Sequence, residues 1–159
     1  MVGGLMIKND AWDEIADKVR EDDFYRKDHK LIFRAIGDLA RTDKPFDVVT
    51  LSERLETMGE LEQSGGMLYL GNLANETPSA ANIKAYADIV RNKSVLRQLI
   101  NVGDDIAQSA YDPGERSVKD ILDHAETEVF KIAESGGDGT QSYRAVNDLL
   151  SGAVDRIQE

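Results

Sequence analysis

Apolar residues recur along most of this chain at spacings of three and four, the period of a helix half sunk in a core. No stretch sustains the alternation of a strand, so the pattern predicts an all-α protein. Residues 1–78 read as a small globular domain of about five short helices. Trp12, Ile15, Ala16 and Val19 share one helical face, with Asn9 or Asp10 as N-cap. Ile32, Phe33, Ile36, Leu39 and Ala40 form a second stripe between His29 and Ala40. Lys44-Pro45-Phe46-Asp47 is a turn, after which Asp47 can cap a helix over Val48–Met58 that Gly59 stops. The run Val48-Val49-Thr50 leaves a short strand as the lesser alternative. Ser64-Gly65-Gly66 restarts a helix whose apolar face holds Met67, Leu68, Leu70 and Leu73. Gly3-Gly4, so close to the start, points to a first helix that is truncated or closely packed.

Residues 79–135 read as a helical hairpin. Pro78-Ser79-Ala80 has Pro and Ser at a helix mouth, and no Pro recurs until Asp112-Pro113-Gly114. About thirty unbroken residues would make an arm of roughly 48 Å, whereas a domain of some 75 residues is only about 25–30 Å across. Such an arm is expected to overhang its own domain. Ile83, Tyr86, Val90, Leu96, Leu99, Ile100, Val102, Ile106 and Ala110 trace a broad apolar band along it. Ser117-Val118-Lys119-Asp120 has the spacing of a capping box. The returning arm carries Val118, Ile121, Leu122, Ala125, Val129, Ile132 and Ala133. One mutual seam needs two apolar positions in seven. Both arms exceed that, so further partners are expected to cover the surplus.

Ser135-Gly136-Gly137-Asp138-Gly139-Thr140 has the composition of a flexible linker, assigned to 136–142. Beyond it, Val146, Leu149, Leu150, Ala153 and Ile157 make a short amphipathic helix within 143–159. An isolated helix of that length is marginal in water, so it is expected to dock elsewhere.

Composition sharpens this picture by exclusion. The 159 residues contain no Cys, which removes disulfides, thiolate metal sites and a Cys nucleophile and fits a reducing cytoplasm. No apolar run approaches a membrane span, and Met1 to Ile7 lacks the charged flank of a signal peptide. The net charge of −11 is spread throughout. Residues 1–78 carry 10 basic against 16 acidic groups, 79–135 carry 7 against 10, and 136–159 carry 2 against 4. Phosphate binding needs clustered Lys and Arg, and no region supplies them. Acidity serves solubility, or meets a basic partner protein.

The search for chemistry is mostly negative. His29 and His124 lie on different units without a nearby ligand pair, which is the pattern of structural histidines. The phosphate-loop motif is absent, and Gly136-Gly137-Asp138-Gly139 lacks its Lys. Glu21-Asp22-Asp23 and Asp104-Asp105 are adjacent carboxylates that point different ways on a helix, so each reads as a solvated face. Tyr69, Tyr86 and Trp12 read as core rather than as stacking platforms for bases. No catalytic, cofactor or metal residue is expected.

The run from Asn75-Glu76-Thr77-Pro78-Ser79 through Tyr86-Ala87-Asp88-Ile89-Val90-Arg91 closely resembles the N-terminal region of the bacterial replicative DNA helicase family, DnaB. Gly3-Gly4-Leu5-Met6, Asp22-Asp23-Phe24-Tyr25, Asp47-Val48-Val49-Thr50-Leu51 and Val129-Phe130-Lys131-Ile132-Ala133-Glu134 agree in the same register, so the resemblance spans essentially the whole chain. It implies a helical domain followed by a hairpin that pairs subunits, with six copies forming a collar, a trimer of dimers. It implies that the helix of 143–159 docks on a neighbouring motor domain through Val146, Leu149, Leu150 and Ile157. It further implies a motor domain beyond Glu159, some chain upstream of Gly3, and ATP and Mg as cofactors of the full-length parent only. The implied partners are the chain itself, the primase C-terminal domain and a helicase loader, with DNA met only through the motor domain.

For the oligomer and partner interface, the expected residues are Ile100, Ile106, Ile121, Leu99, Leu122 and Val129. The competing role for Ile100, Ile106 and Ile121 is filling the hairpin's own seam. Ile106→Asn would place an amide in an apolar seam at a cost on the order of 2–3 kcal/mol if unsatisfied. The alternative is the helicase-binding domain of a primase, which the same resemblance suggests has a similar fold.

Overall fold

The computed structural model describes residues 1–135, which hold seven α-helices and no strand. They are α1 (Val2–Ile7), α2 (Trp12–Ile15), α3 (Lys27–Arg41), α4 (Val48–Thr57), α5 (Gly66–Glu76), α6 (Ile83–Tyr111) and α7 (Val118–Ser135). Short 3-10 turns at Asn9–Ala11 and Glu21–Asp23 flank α2. The chain parts into two compact units, Met1–Ser94 and a second beginning at Val95, so the division falls inside α6.

The core of the first unit is built around α3. Leu31, Ile32, Phe33, Ala35, Ile36 and Leu39 are buried there, against Val2 and Leu5 of α1, Leu51 and Leu55 of α4, and Leu70 of α5. Trp12 packs on Phe33 and Phe46, with ring centroids 5.3 and 6.4 Å apart, and Phe24 lies 5.0 Å from Phe33. These are tilted and edge-on geometries that suit the ring quadrupoles.

Local signals placed several ends where the pattern predicts them. The Asp47 carboxylate accepts from the Thr50 amide at 2.8 Å, which caps α4. Gly59 follows with φ +71, the left-handed turn that ends such a helix. Val48-Val49-Thr50 is therefore helical, not a strand. Gly3 and Gly4 are closely packed: a β-carbon on Gly3 would collide with the carbonyl oxygen of Leu73 and the hydroxyl of Thr77, bringing α1 tight against the end of α5.

Other expectations fail for tertiary reasons. The helix at Trp12 lasts one turn, and Ala16 is exposed although Ile15 and Val19 are buried. Neither Asn9 nor Asp10 caps it. Instead the Asn9 side chain donates to the Leu5 carbonyl at 2.9 Å and accepts from the Phe46 amide at 3.2 Å, stitching α1 to the loop before α4. On α5, Leu70 is buried and Leu73 half-buried, whereas Met67 and Leu68 face solvent. Gly65 and Gly66, both at positive φ, lead into α5, whose rotation buries Leu70 and leaves those two side chains exposed. Tyr86 is exposed rather than core.

Candidate functional site

The long helix α6 begins at Ile83, a few residues after the expected Pro78 mouth, because Ser79 first caps a turn by accepting from the Ala81 amide at 3.0 Å. From there it runs 29 residues without a break, about 43 Å at 1.5 Å per residue. It stops at Tyr111, where Asp112-Pro113-Gly114 turns the chain and Gly114 takes φ +61. The Arg116 guanidinium closes the turn by donating to the carbonyls of Pro113 and Asp112 and to the Ser109 hydroxyl. The predicted capping box forms: the Asp120 amide donates to Ser117 Oγ at 3.1 Å, and the Ser117 amide donates to Asp120 Oδ2 at 3.3 Å.

Each helix of the second unit hides one stripe and shows another. Arg97, Ala133 and Ser135 are half-buried, and a half-buried stripe runs through Val95, Gln98, Val102, Ile106 and Ser109 on α6 and through Ile121, Ala125 and Glu128 to the buried Ile132 on α7. These spacings of three and four make a single inward seam. Ile106 and Ile121 belong to it. The remaining expected interface residues lie outside it: Leu99, Ile100, Leu122 and Val129 are all exposed, Ile100 to 62% and Leu122 to 58%. Leu96 and Val118 extend that outer band to 58% and 75% exposure. On α6 the band runs from Leu96 through the adjacent pair Leu99 and Ile100 to Gly103 and Ala107, each three or four residues from the next turn's member on one face. Residues Val146, Leu149, Leu150 and Ile157, the linker over 136–142 and the helix over 143–159 lie outside the described residues.

The first unit holds two polar clusters. His29 stacks on Tyr69, with centroids 6.2 Å apart and Nε2 2.8 Å from the Tyr69 hydroxyl. The Arg26 guanidinium sits 5.8 Å from the Tyr69 ring centre, and the Asp28 carboxylate accepts from Arg26 and from the His29 amide. Burial holds the His29 imidazole below its ordinary pKa; the Asp28 charge opposes this and the Arg26 charge adds to it. This is a packing arrangement, as expected of a structural histidine. His124 is exposed. No three His, Cys, Asp or Glu groups come together as metal ligands among the described residues, and no helix among them is long and apolar enough to cross a membrane.

The second cluster overturns an expectation. Asp23 is not part of a solvated face: only 3% of it is exposed. Its Oδ1 accepts from Arg91 Nη1 at 2.5 Å and from Ser94 Oγ at 2.9 Å, while Oδ2 accepts from the Arg20 amide at 2.8 Å. Asp104 and Asp105 are exposed as expected. The local contact of Asp23, the Arg20 amide three residues back, does not reveal the burial, because Arg91 and Ser94 stand 68 and 71 residues away.

Known proteins resemble the chain along nearly its whole length. Over 157 residues it is 44% identical to the replicative DNA helicase DnaB of Haemophilus influenzae, a match covering 99% of this chain and 34% of the relative. It is 35% identical over 159 residues to the replicative DNA helicase DnaC of Bacillus subtilis, again spanning 34% of that protein. The chain thus spans about a third of the length of these curated relatives. Among solved structures, the N-terminal domain of DnaB helicase from Mycobacterium tuberculosis superposes with a TM-score of 0.78 at 35% identity, covering 82% of this chain and 91% of that one. A DnaB-like replicative helicase, solved in a study of its interactions with primase, shares the fold at a TM-score of 0.67 and 20% identity, over 92% of this chain and 33% of that one. The family model for the DnaB-like helicase N-terminal domain matches residues 1–92, the globular unit with the root of α6, and to that family the chain belongs.

Proposed function

We propose that these 159 residues are the oligomerisation collar and partner dock of a replicative DNA helicase, catalytically silent by themselves. The observation that carries this reading is the second apolar stripe on the hairpin. Leu96, Leu99 and Ile100 on α6, with Val118, Leu122 and Val129 on α7, are large apolar side chains left in water after Ile106, Ile121 and Ile132 have filled the inward seam. Large apolar side chains left exposed in this number support an interaction site on the hairpin. A second copy of the chain is the first occupant, giving the dimers from which a six-membered ring is built. The primase C-terminal domain and a loader are the further partners, docking on the collar so assembled. In this reading residues 1–78 are the globular head, 79–135 the pairing hairpin, and 143–159 the helix that engages a neighbouring motor domain. ATP, Mg and DNA belong to a motor region outside these residues, and the assembly works in the cytoplasm.

Light scattering across concentration, with and without a primase C-terminal domain, tests the reading. Mass should rise with concentration in the micromolar range and rise further with primase. Ile100→Asp, which places a charge at the centre of the outer band, should leave the melting temperature within about 2 °C and abolish self-association. A mass that stays at one subunit to high micromolar concentration would refute the collar.

A further inference from the structure

From the Asp23 cluster we infer that Asp23 is a positioning residue: its buried carboxylate anchors the root of α6, residues 83–94, on the globular unit. The inference goes beyond the collar reading, and its part concerning association rests on that reading. Three facts carry it.

The apolar grip on this stretch is thin. Within residues 83–94 the buried apolar side chains are Ile83 and Ala87, with Val90 half-buried, while Lys84, Ala85, Tyr86, Asp88 and Ile89 face water. Ile83 and Ala87 sit in the first turns, and beyond Val90 nothing apolar holds the helix until the second unit begins. The polar grip lies where the apolar grip ends. Asp23 receives Arg91 and Ser94, one helical turn apart, on a single carboxylate oxygen. On the rim Lys18 reaches Asp88 at 3.6 Å, but that pair is largely exposed and screened by water and salt.

The cluster is also a poor device for stability. Arg91 is 8% exposed, and its Nη2 is buried with no hydrogen-bond partner among the described residues. Replacing a buried ion pair that leaves an N–H unsatisfied by apolar side chains of similar volume is often neutral or stabilising. Such a pair is directional, however. An aspartate held by the Arg20 amide can meet Arg91 and Ser94 in one register and rotation of α6, whereas two apolar side chains tolerate several.

Hydrogen exchange read by mass spectrometry on the whole chain tests the anchor, alongside melting and sedimentation. In Asp23→Asn, amides of 83–94 should exchange at least about tenfold faster while those of α3 and α4 stay within about twofold of wild type. The apolar pair Asp23→Leu/Arg91→Met should melt at or above the wild-type temperature, yet still exchange faster in 83–94 and self-associate at least about tenfold more weakly. Should Asp23→Asn fail to fold, the apolar pair decides alone. Unchanged exchange in 83–94, exchange rising equally in α3 and α4, or an apolar pair that restores both protection and association would each overturn the proposal. If the wild-type chain itself does not associate, the collar reading fails while the exchange measurement still judges the anchor.

Discussion

At Gly3 a β-carbon would meet the Leu73 carbonyl and the Thr77 hydroxyl, and the former is backbone that cannot swing aside. Gly3→Ala is therefore expected to destabilise the first unit by about 1–3 kcal/mol, as overpacking does, even though alanine is the better helix former. Denaturant unfolding would show it, with Gly71→Ala as the control, since nothing lies within 4 Å of a β-carbon there. His29 makes the second prediction at this scale. Its folded-state pKa lies below the ordinary histidine value because burial disfavours the imidazolium. The unfolded chain then binds the proton more readily, so stability is whole above about pH 6.5 and falls as pH drops through that value toward the lowered one. A His29→Phe variant should lose this pH dependence, as read from melting temperatures between pH 7.5 and 5. The histidine's structural role was legible from its isolation in the sequence. Its partner Tyr69, 40 residues on, was not.

Elements were legible where their signals are local. Asp47 at an N-cap, Gly59 at a helix end, and Ser117 with Asp120 in a capping box act within three or four residues, and each formed as the sequence predicts. Rotation of a helix about its axis is a different matter, because it depends on what packs beside it. The apolar face that the sequence predicts for α5 includes Met67 and Leu68, yet both are exposed. The hairpin shows the same division. A surplus of apolar residues can be counted in sequence, but only the packing of the helices turns Ile106 and Ile121 inward and Leu99, Ile100, Leu122 and Val129 outward. Gly103 gives the test at this scale. It lies mid-helix in the outer band of α6 with open space around its missing side chain. Gly103→Ala should stabilise the helix by roughly 0.5–1 kcal/mol yet weaken self-association where a second helix lies close over that point. Melting and sedimentation, measured on the same variant, should move in opposite directions.

For the molecule as a whole, the proposed self-association would set a net charge of −11 on each copy against the attraction of the exposed apolar band. Repulsion between exposed charges is screened over about 8 Å at 0.15 M salt, and apolar contact is not. Self-association is therefore expected to strengthen between about 20 and 200 mM salt, as sedimentation equilibrium would show; a contact built on ion pairs would weaken instead. The sequence by itself determined the helical class, the long unbroken arm, its turn and the excess of apolar surface, because periodicity, caps and prolines act over one or two turns of chain. Only the tertiary structure decided that Asp23 is buried, that Asn9 bridges two segments instead of capping a third, and which stripe of the hairpin remains in water. Those outcomes depend on neighbours brought together from distant parts of the chain, where burial and hydrogen-bond geometry, rather than local propensity, set the energy.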